Sequence, residues 1–324
     1  MFHTTKDIVQ SQQDLGLDCG LIDALKPEPK TDGIFTAEGY QYADTADIYA
    51  LHLAIPEPYM SDGTPQVIFL HGHPLYSQQV ELYGLEPGND KPFTTICNYF
   101  NNTDGKWFVS FWEDDQKAYW DVLDNGRNRV RYMQRGIRFG EQWTPEGKQR
   151  QLEGDPCIVI ADQFRVFKDV LPCLWGAFNY WLENPKARIY MYGLPPRNSR
   201  ERECLDRWLT STGMHSAIAG LEGIVDYLPE VFRRADVVVS NVTCESRVVV
   251  EAAACGCKVV APWEHATAYV RKPWRPDSFA RGIAEAIDNK ATRESIAKTT
   301  HKDFNSDKTA EQLIALYEEI LRYG

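Results

Sequence analysis

The sequence lacks the features that place proteins in membranes or in the secretory pathway. It contains no run of about 18 apolar residues, which predicts that it has no transmembrane helix. Its first ten residues carry no apolar stretch of the kind found in signal peptides. We therefore expect a cytoplasmic protein without stable membrane insertion.

Metal-binding and disulfide patterns are also missing. The eight cysteines are scattered and form no C-x-x-C pair. The one close pair, Cys255 and Cys257, flanks Gly256, and small buried residues are its favoured interpretation, with a metal or disulfide role as the alternative. No convincing D-x-D motif is present, since Asp44 and Asp47 are a poor substitute. We expect no metal site.

An excess of positive charge is absent as well. The net charge of −11 argues against a general nucleic-acid binder. Cations do cluster locally, and solvated surfaces or an anionic acceptor are the two interpretations. The clusters are Arg127, Arg129, Arg131, Arg135 and Arg138; Arg197, Arg200, Arg202 and Arg207; and Arg271, Lys272 and Arg275.

Helix and strand signals alternate along the chain, which predicts parallel α/β layers. A length of 324 residues is typical of two domains. The first half predicts a helix over 5–15 and strands over 48–52, 67–71, 107–111 and 130–133. The polar stretch 139–156 then predicts a boundary. We expect an N-terminal domain over 1–145, a C-terminal domain over 146–304 and a final helix over 305–324.

The second half predicts a more regular alternation. Apolar runs indicate strands over 157–161, 188–192, 237–240 and 258–261. Helical patterns cover 170–182, 200–212, 227–234, 246–255, 279–288 and 309–323, and Gly256 is a typical helix C-terminal signal. The sequence therefore predicts a second parallel sheet covered by helices.

Two segments that follow predicted strands have the chemistry of an anion site. Ligands of open parallel sheets bind beyond the carboxyl ends of the strands. Backbone amides of Ser246, Arg247 and Val248 lie at a predicted helix N-terminus, which attracts anions. Arg165 and Lys168 follow the strand over 157–161 and suit a diphosphate. A solvated loop is the alternative for these two cations.

Glu251 lies about one turn into the same predicted helix, among apolar residues. We expect its carboxylate to be close enough there to accept hydrogen bonds from the hydroxyls of a sugar. A surface glutamate is the alternative on spacing alone.

Residues 246–262, SRVVVEAAACGCKVVAP, resemble the donor-binding helix of GT-B glycosyltransferases, particularly the retaining group named GT4. That group typically reads E-x-F-G-x-V-x-x-E-A-M-A-C-G-x-P-V-V-A. The stretches ADIYALH, VIFLHGHP, YMQRGIRFGEQWTPEG, RVFK, IYMYG and GIVDYLPEVFRRADVVVS agree with it in order, from residue 46 to residue 240. The resemblance implies two Rossmann-like domains facing a central cleft, with a C-terminal helix returning to the first. It implies that the N-terminal domain is on the acceptor side and that the C-terminal domain binds the nucleotide sugar.

The resemblance also implies roles for individual residues. Glu251 matches the glutamate that holds the donor ribose, and Arg165 and Lys168 match the cations on the diphosphate. Gly223, Ile224 and Val225 correspond to the segment beside the nucleobase. His52 or His71 matches the histidine that approaches the sugar, and His52 is favoured.

Two departures from the family pattern affect the site. Thr243 stands where the family's first glutamate stands, and Ser246 replaces a glycine. Either Glu245 substitutes for that glutamate, or the first carboxylate is absent. The glycine-rich loop that normally follows the first strand is also missing.

The resemblance implies transfer of a sugar from a nucleotide-diphosphate sugar, with retention and without a further cofactor. The acceptor is a glycan or a hydroxymethylated base in bacteriophage DNA. The alternatives are a GT-B epimerase or phosphorylase, and a nucleotide-sugar-binding protein without turnover.

Overall fold

The computed structural model describes residues 2–19, 47–52, 64–70, 82, 106–111, 130–162, 169–242 and 247–323. Its helices are α1 (Phe2–Asp14), α2 (Leu171–Glu183), α3 (Arg200–Ser211), α4 (Leu228–Arg234), α5 (Arg247–Ala254), α6 (Pro276–Asp288), α7 (Arg293–Asp303) and α8 (Ser306–Tyr323). Its strands are β1 (Tyr49–His52), β2 (Gln66–Leu70), β3 (Lys106–Ser110), β4 (Val130–Tyr132), β5 (Cys157–Ile160), β6 (Arg188–Met191), β7 (Ile218–Leu221), β8 (Val237–Val239), β9 (Lys258–Ala261) and β10 (Ala268–Tyr269).

The chain divides into two compact units. The first comprises Met1–Arg138 and Phe304–Gly324, and the second comprises Phe139–Asp303. Each unit contains a sheet whose described strand pairs are all parallel. None of the helices in the described ranges is long and apolar enough to cross a membrane.

The first unit is built on the sheet order β1-β2-β3-β4. All four strands were predicted from their apolar runs, and the structure confirms them. Every residue of β2 is buried, as expected for a parallel strand covered on both faces. Its core joins Ile8 of α1 to Val67 and Phe69 of β2 and to Phe111.

The C-terminal helix α8 returns to the first unit, as the sequence predicts. Its residues Leu313, Leu316 and Ile320 are buried in the same apolar cluster as β2. The Ser306 hydroxyl lies 2.8 Å from that of Ser11 on α1. The Thr309 hydroxyl donates to the Gln134 carbonyl at 2.8 Å. Helix α8 therefore completes the core of the first unit.

The second unit contains a six-stranded sheet in the order β10-β9-β8-β5-β6-β7. The chain builds β5, β6 and β7 outward in one direction, and then returns to the other side of β5 for β8, β9 and β10. Helices α2 and α6 pack on the sheet through a common core that includes Leu174, Phe279 and Ile283. The strand order therefore reverses between β5 and β8.

Among the α-helices and strands named above, three in the second unit were not predicted. Helix α7 buries only Ala297 and Thr300, so it carries no apolar stripe to reveal it. Strand β7 has no fully buried residue, because it lies at the edge of the sheet. Strand β10 has only two residues. Each of these elements depends on packing by its neighbours, and its own sequence pattern is weak.

The division between the units lies at Arg138 and Phe139, N-terminal to the sequence-derived boundary at 145/146. The buried side chain of Arg233 on α4 explains the position. Its guanidinium donates to the carbonyls of Gln142, Thr144 and Lys148, at 2.5, 2.9 and 3.1 Å. Residues 142–148 of the polar stretch 139–156 are therefore held in the second unit by these hydrogen bonds.

Candidate functional site

The reversal of strand order in the second sheet creates a crevice between the carboxyl ends of β5 and β8. In open parallel sheets the helices that follow such a pair lie on opposite faces, and the loops diverge to leave space for a ligand. The loop after β5 continues into residues 163–168, and the loop after β8 continues into residues 243–246. The described starts of these two loops, residues 161–162 and 240–242, therefore leave the sheet at the same point.

A buried hydrogen bond joins the two strands at this reversal. The Ser240 hydroxyl, which follows β8, donates to the carboxylate of Asp162, which follows β5, at 2.5 Å. Both residues are almost completely buried. Sequence reasoning assigned no role to either, although a carboxylate directly after an apolar strand was a signal for one. The bond holds the starts of the two loops together.

A second bond links the same loops farther out. The Asn241 amide nitrogen donates to the Asp169 carbonyl at 2.9 Å. Asp169 adopts a positive φ of 31°, which turns the chain immediately before α2. The Asn241 carboxamide oxygen is buried and accepts no hydrogen bond in the structure of the described chain. An unused acceptor therefore lies at the crevice.

Helix α5 begins beyond the loop after β8 and runs back to β9. Its C-terminus is a Schellman motif: the Gly256 amide donates to the Ala253 carbonyl at 2.9 Å, and the Cys257 amide donates to the Ala252 carbonyl at 3.0 Å. Gly256 has a φ of 75°, which favours glycine. The predicted C-terminal signal is confirmed. Because α5 connects the parallel strands β8 and β9, its N-terminus lies at the carboxyl edge of the sheet and its C-terminus at the opposite edge.

The N-terminal half of α5 carries an ion pair between two of the predicted donor-binding residues. The Arg247 Nε donates to the Glu251 carboxylate at 2.5 Å. The Glu251 side chain is 7% exposed and that of Arg247 is 24% exposed. Val248 lies in the same part of the helix and is half-buried. The helix therefore presents a positioned cation and a positioned carboxylate.

Gly223, Ile224 and Val225 follow β7 at the same edge of the sheet. The Gly223 carbonyl accepts from the Gly193 amide at 3.0 Å, and the neighbouring Glu222 carbonyl accepts from the Leu194 amide at 3.1 Å. These bonds fasten the segment to the end of β6. The Ile224 side chain is exposed. The segment therefore offers its backbone and one apolar side chain to a ligand.

Several predicted site residues lie outside the described residues: His71, Arg165, Lys168, Thr243, Glu245 and Ser246. His52 is the last residue of β1 in the first unit, as the sequence predicts. Their proposed roles therefore remain predictions from the sequence.

The cysteines near α5 are structural. Cys255 and Cys257 are free thiols and fully buried, which confirms the favoured interpretation of this pair. Burial raises the pKa of Cys255 to about 12, so its thiol stays protonated at neutral pH. Within the described ranges, no three His, Cys, Asp or Glu side chains are grouped so that they could hold a metal ion.

Comparison with known proteins identifies the fold. No protein-family model and no curated protein matches the sequence. Among solved structures, a glycosyltransferase from Rickettsia africae ESF-5 is similar, with a TM-score of 0.70 and 12% identity over 99% of this chain and 95% of that one. The chain has the GT-B glycosyltransferase fold.

Two further GT-B structures are similar over most of their length. HepE from Anabaena, in complex with UDP and glucose, has a TM-score of 0.61 and 14% identity, covering 90% of this chain and 84% of that one. Sucrose-phosphate synthase from Thermosynechococcus elongatus has a TM-score of 0.64 and 13% identity, covering 89% and 77%. At these identities the similarity establishes the fold, and the chemistry must be argued from the residues.

Proposed function

We propose that the protein transfers a sugar from a nucleotide-diphosphate sugar to an acceptor hydroxyl, with the donor bound at the carboxyl edge of the second sheet. The observation that carries this proposal is the buried Glu251 carboxylate on α5, the helix that follows β8 at the reversal of strand order. A carboxylate held there is suited to accept hydrogen bonds from ribose hydroxyls. The fold is shared with HepE, which was solved with UDP and glucose.

The remaining donor contacts follow from the sequence. Arg165 and Lys168, together with the backbone amides of Ser246, Arg247 and Val248, are proposed to bind the diphosphate. Gly223, Ile224 and Val225 are proposed to border the nucleobase. Thr243 and Glu245 are proposed to contact the sugar, and His52 or His71 is proposed as a further sugar contact.

The proposed reaction breaks the bond between the anomeric carbon and the diphosphate oxygen, which keeps the electron pair. The acceptor oxygen forms the new bond to that carbon with retention, and its proton passes to the departing diphosphate. The cations and helix amides stabilise the charge that develops on the leaving group. No step requires a metal ion, so we expect activity to persist in EDTA.

The proposed acceptor is a glycan, with a hydroxymethylated base of bacteriophage DNA as the second candidate. The local cation clusters are compatible with either, whereas the net charge of −11 disfavours DNA. Mass spectrometry of products from both kinds of acceptor separates the two.

The function is tested by incubating the protein with UDP-glucose and other nucleotide sugars, with and without a panel of glycan and modified-DNA acceptors. We expect release of nucleoside diphosphate that increases with one acceptor. A donor sugar altered in the absence of any acceptor would indicate an epimerase. Donor binding without turnover across the panel would indicate a binding protein.

A further inference from the structure

The proposed donor site uses none of the three cationic clusters of the sequence, and one of these clusters carries a further feature. It lies in the segment 271–275, between β10 and α6, which we name the Trp274 turn. The Trp274 side chain is 69% exposed, and Tyr269, which precedes the turn on β10, is 50% exposed. Arg271 and Lys272 are exposed as well. Two aromatic rings and two cations thus face solvent within a short stretch.

The Trp274 turn is conformationally restricted. The Arg275 amide donates to the Lys272 carbonyl at 3.0 Å, which closes a β-turn with Pro273 and Trp274 at its centre. Proline at the second position presets the backbone. Helix α6 begins directly afterwards at Pro276. The backbone that carries the indole is therefore ordered before any ligand arrives, which lowers the entropic cost of binding.

The charges of the turn are only partly neutralised. Arg275 is paired with Asp277 at 2.9 Å, and Asp277 also pairs with Arg281 at 3.3 Å. Arg271 and Lys272 make no ion pair with any residue in the described parts of the chain. In a protein of net charge −11, these two cations form a local positive site suited to an anion.

The turn lies at the edge of the sheet that contains the proposed donor site. Strand β10 pairs in parallel with β9, and the Val270 amide donates to the Ala261 carbonyl at 2.9 Å beyond the last pair. The carboxyl end of β10 therefore faces the same way as that of β8. Two strand spacings, about 10 Å, separate these strands.

We propose that the Trp274 turn binds an anionic glycan, at a surface distinct from the proposed donor site. The indole face packs against the C–H face of a sugar ring, and Arg271 and Lys272 bind its phosphate, sulfate or carboxylate groups. This proposal goes beyond the proposed function, because sugar transfer does not itself require such a surface. It commits to a saccharide, since an exposed indole beside two cations matches a sugar ring with attached anionic groups.

The test uses the full chain and three probes: sulfated maltopentaose, unmodified maltopentaose and a ten-residue thymidine oligonucleotide. The variants are Trp274→Ala and the double variant Arg271→Ser/Lys272→Ser. The matched control is Leu182→Ala/Lys186→Ser, which removes an exposed apolar side chain and an exposed cation elsewhere in the same unit. Circular dichroism checks that each variant is folded, and calorimetry measures UDP-glucose binding in each.

We expect sulfated maltopentaose to bind better than the other two probes. Trp274→Ala is expected to weaken its binding about tenfold, the effect of losing one good aromatic contact. The double charge variant is expected to weaken binding and to reduce its salt dependence. The control variant and all UDP-glucose affinities remain unchanged.

Equal binding of the sulfated saccharide by wild type and Trp274→Ala would overturn the proposal. Tighter binding of the oligonucleotide that depends on Trp274 would overturn it in favour of a nucleic-acid surface. Failure of the wild-type chain to bind any nucleotide sugar would count against the donor site alone, because the saccharide titrations report on the turn directly.

Discussion

At the scale of single residues, the pair of Arg247 and Glu251 is arranged against the polarity of its helix. Arginine stands in the first turn of α5, and glutamate follows four residues later. The helix dipole favours the opposite order. Burial of the glutamate adds a desolvation cost to the pair. Helix polarity therefore does not favour this pair, and its proposed role is in binding the donor.

Replacing Glu251 by glutamine tests this role. We expect Glu251→Gln to weaken nucleotide-sugar binding by about 1–3 kcal/mol, because charge-assisted bonds to hydroxyls are lost. Isothermal calorimetry with UDP-glucose measures the change. The control is Glu318→Gln, which removes an exposed i, i+4 pair with Arg322 on α8. Unchanged affinity in Glu251→Gln would remove Glu251 from the donor site.

We predict that the hydrogen bond from Ser240 to Asp162 contributes measurably to the free energy of unfolding. Ser240→Ala leaves a buried carboxylate without this donor and is expected to destabilise the protein by about 1–3 kcal/mol. It should also raise the KM for the donor, since the bond holds the loops of the crevice. Urea denaturation and kinetics measure the two effects. Ser211→Ala, which removes an exposed bond to the Trp208 carbonyl, is the control. Equal stability of both variants would show that the buried bond contributes little.

At the scale of elements, the end of α5 connects the site to the rest of the second unit. Gly256 approaches α7 closely: a Cβ added there would lie 2.6 Å from the Arg293 carbonyl oxygen. Arg293 in turn donates to the carbonyls of Phe232 and Ala235, around the end of α4. The polar helix α7 is therefore held by contacts that its own sequence does not reveal.

Alanine substitutions at two glycines with the same φ distinguish the cost of a left-handed backbone from the cost of a steric clash. Gly256 and Gly213 both have a φ of 75°, but a Cβ at Gly213 meets nothing within 4 Å. We expect Gly213→Ala to cost about 1–2 kcal/mol from the left-handed backbone alone. Gly256→Ala should cost clearly more in urea denaturation. Equal losses would mean that α7 shifts away at no cost.

At the scale of the whole molecule, the chain leaves its first unit and returns to it. Helix α8 completes the core around β2, while residues 139–303 form the second unit. Stability of the first unit therefore depends on both ends of the chain. A change in α8 is expected to affect the first unit while the donor site of the second unit keeps its structure.

The helix offers a matched pair of leucines for this test. Leu313 is completely buried, whereas Leu321 is 57% exposed. We expect Leu313→Ala to destabilise the first unit by about 2–5 kcal/mol through the cavity that it leaves. Leu321→Ala should change stability by less than about 0.5 kcal/mol. Hydrogen exchange should accelerate in β2 and β3 but not in β5 and β6. Equal acceleration in both sheets would show that the units unfold together.

The sequence by itself determined the local elements and the expected GT-B fold. Apolar runs located the strands of the first unit and most strands of the second, because a strand that is buried on both faces consists almost entirely of apolar residues. The glycine at position 256 marked the end of α5, because a left-handed residue is required there. The segment around Glu251 pointed to a donor helix.

Only the tertiary structure decided which distant residues meet. The strand order, the bond from Ser240 to Asp162 and the anchoring of residues 142–148 by Arg233 join positions far apart in the chain. Helix α7 forms without an apolar stripe because its neighbours hold it. Periodicity reports on residues a few positions apart, whereas these contacts depend on how separate elements pack.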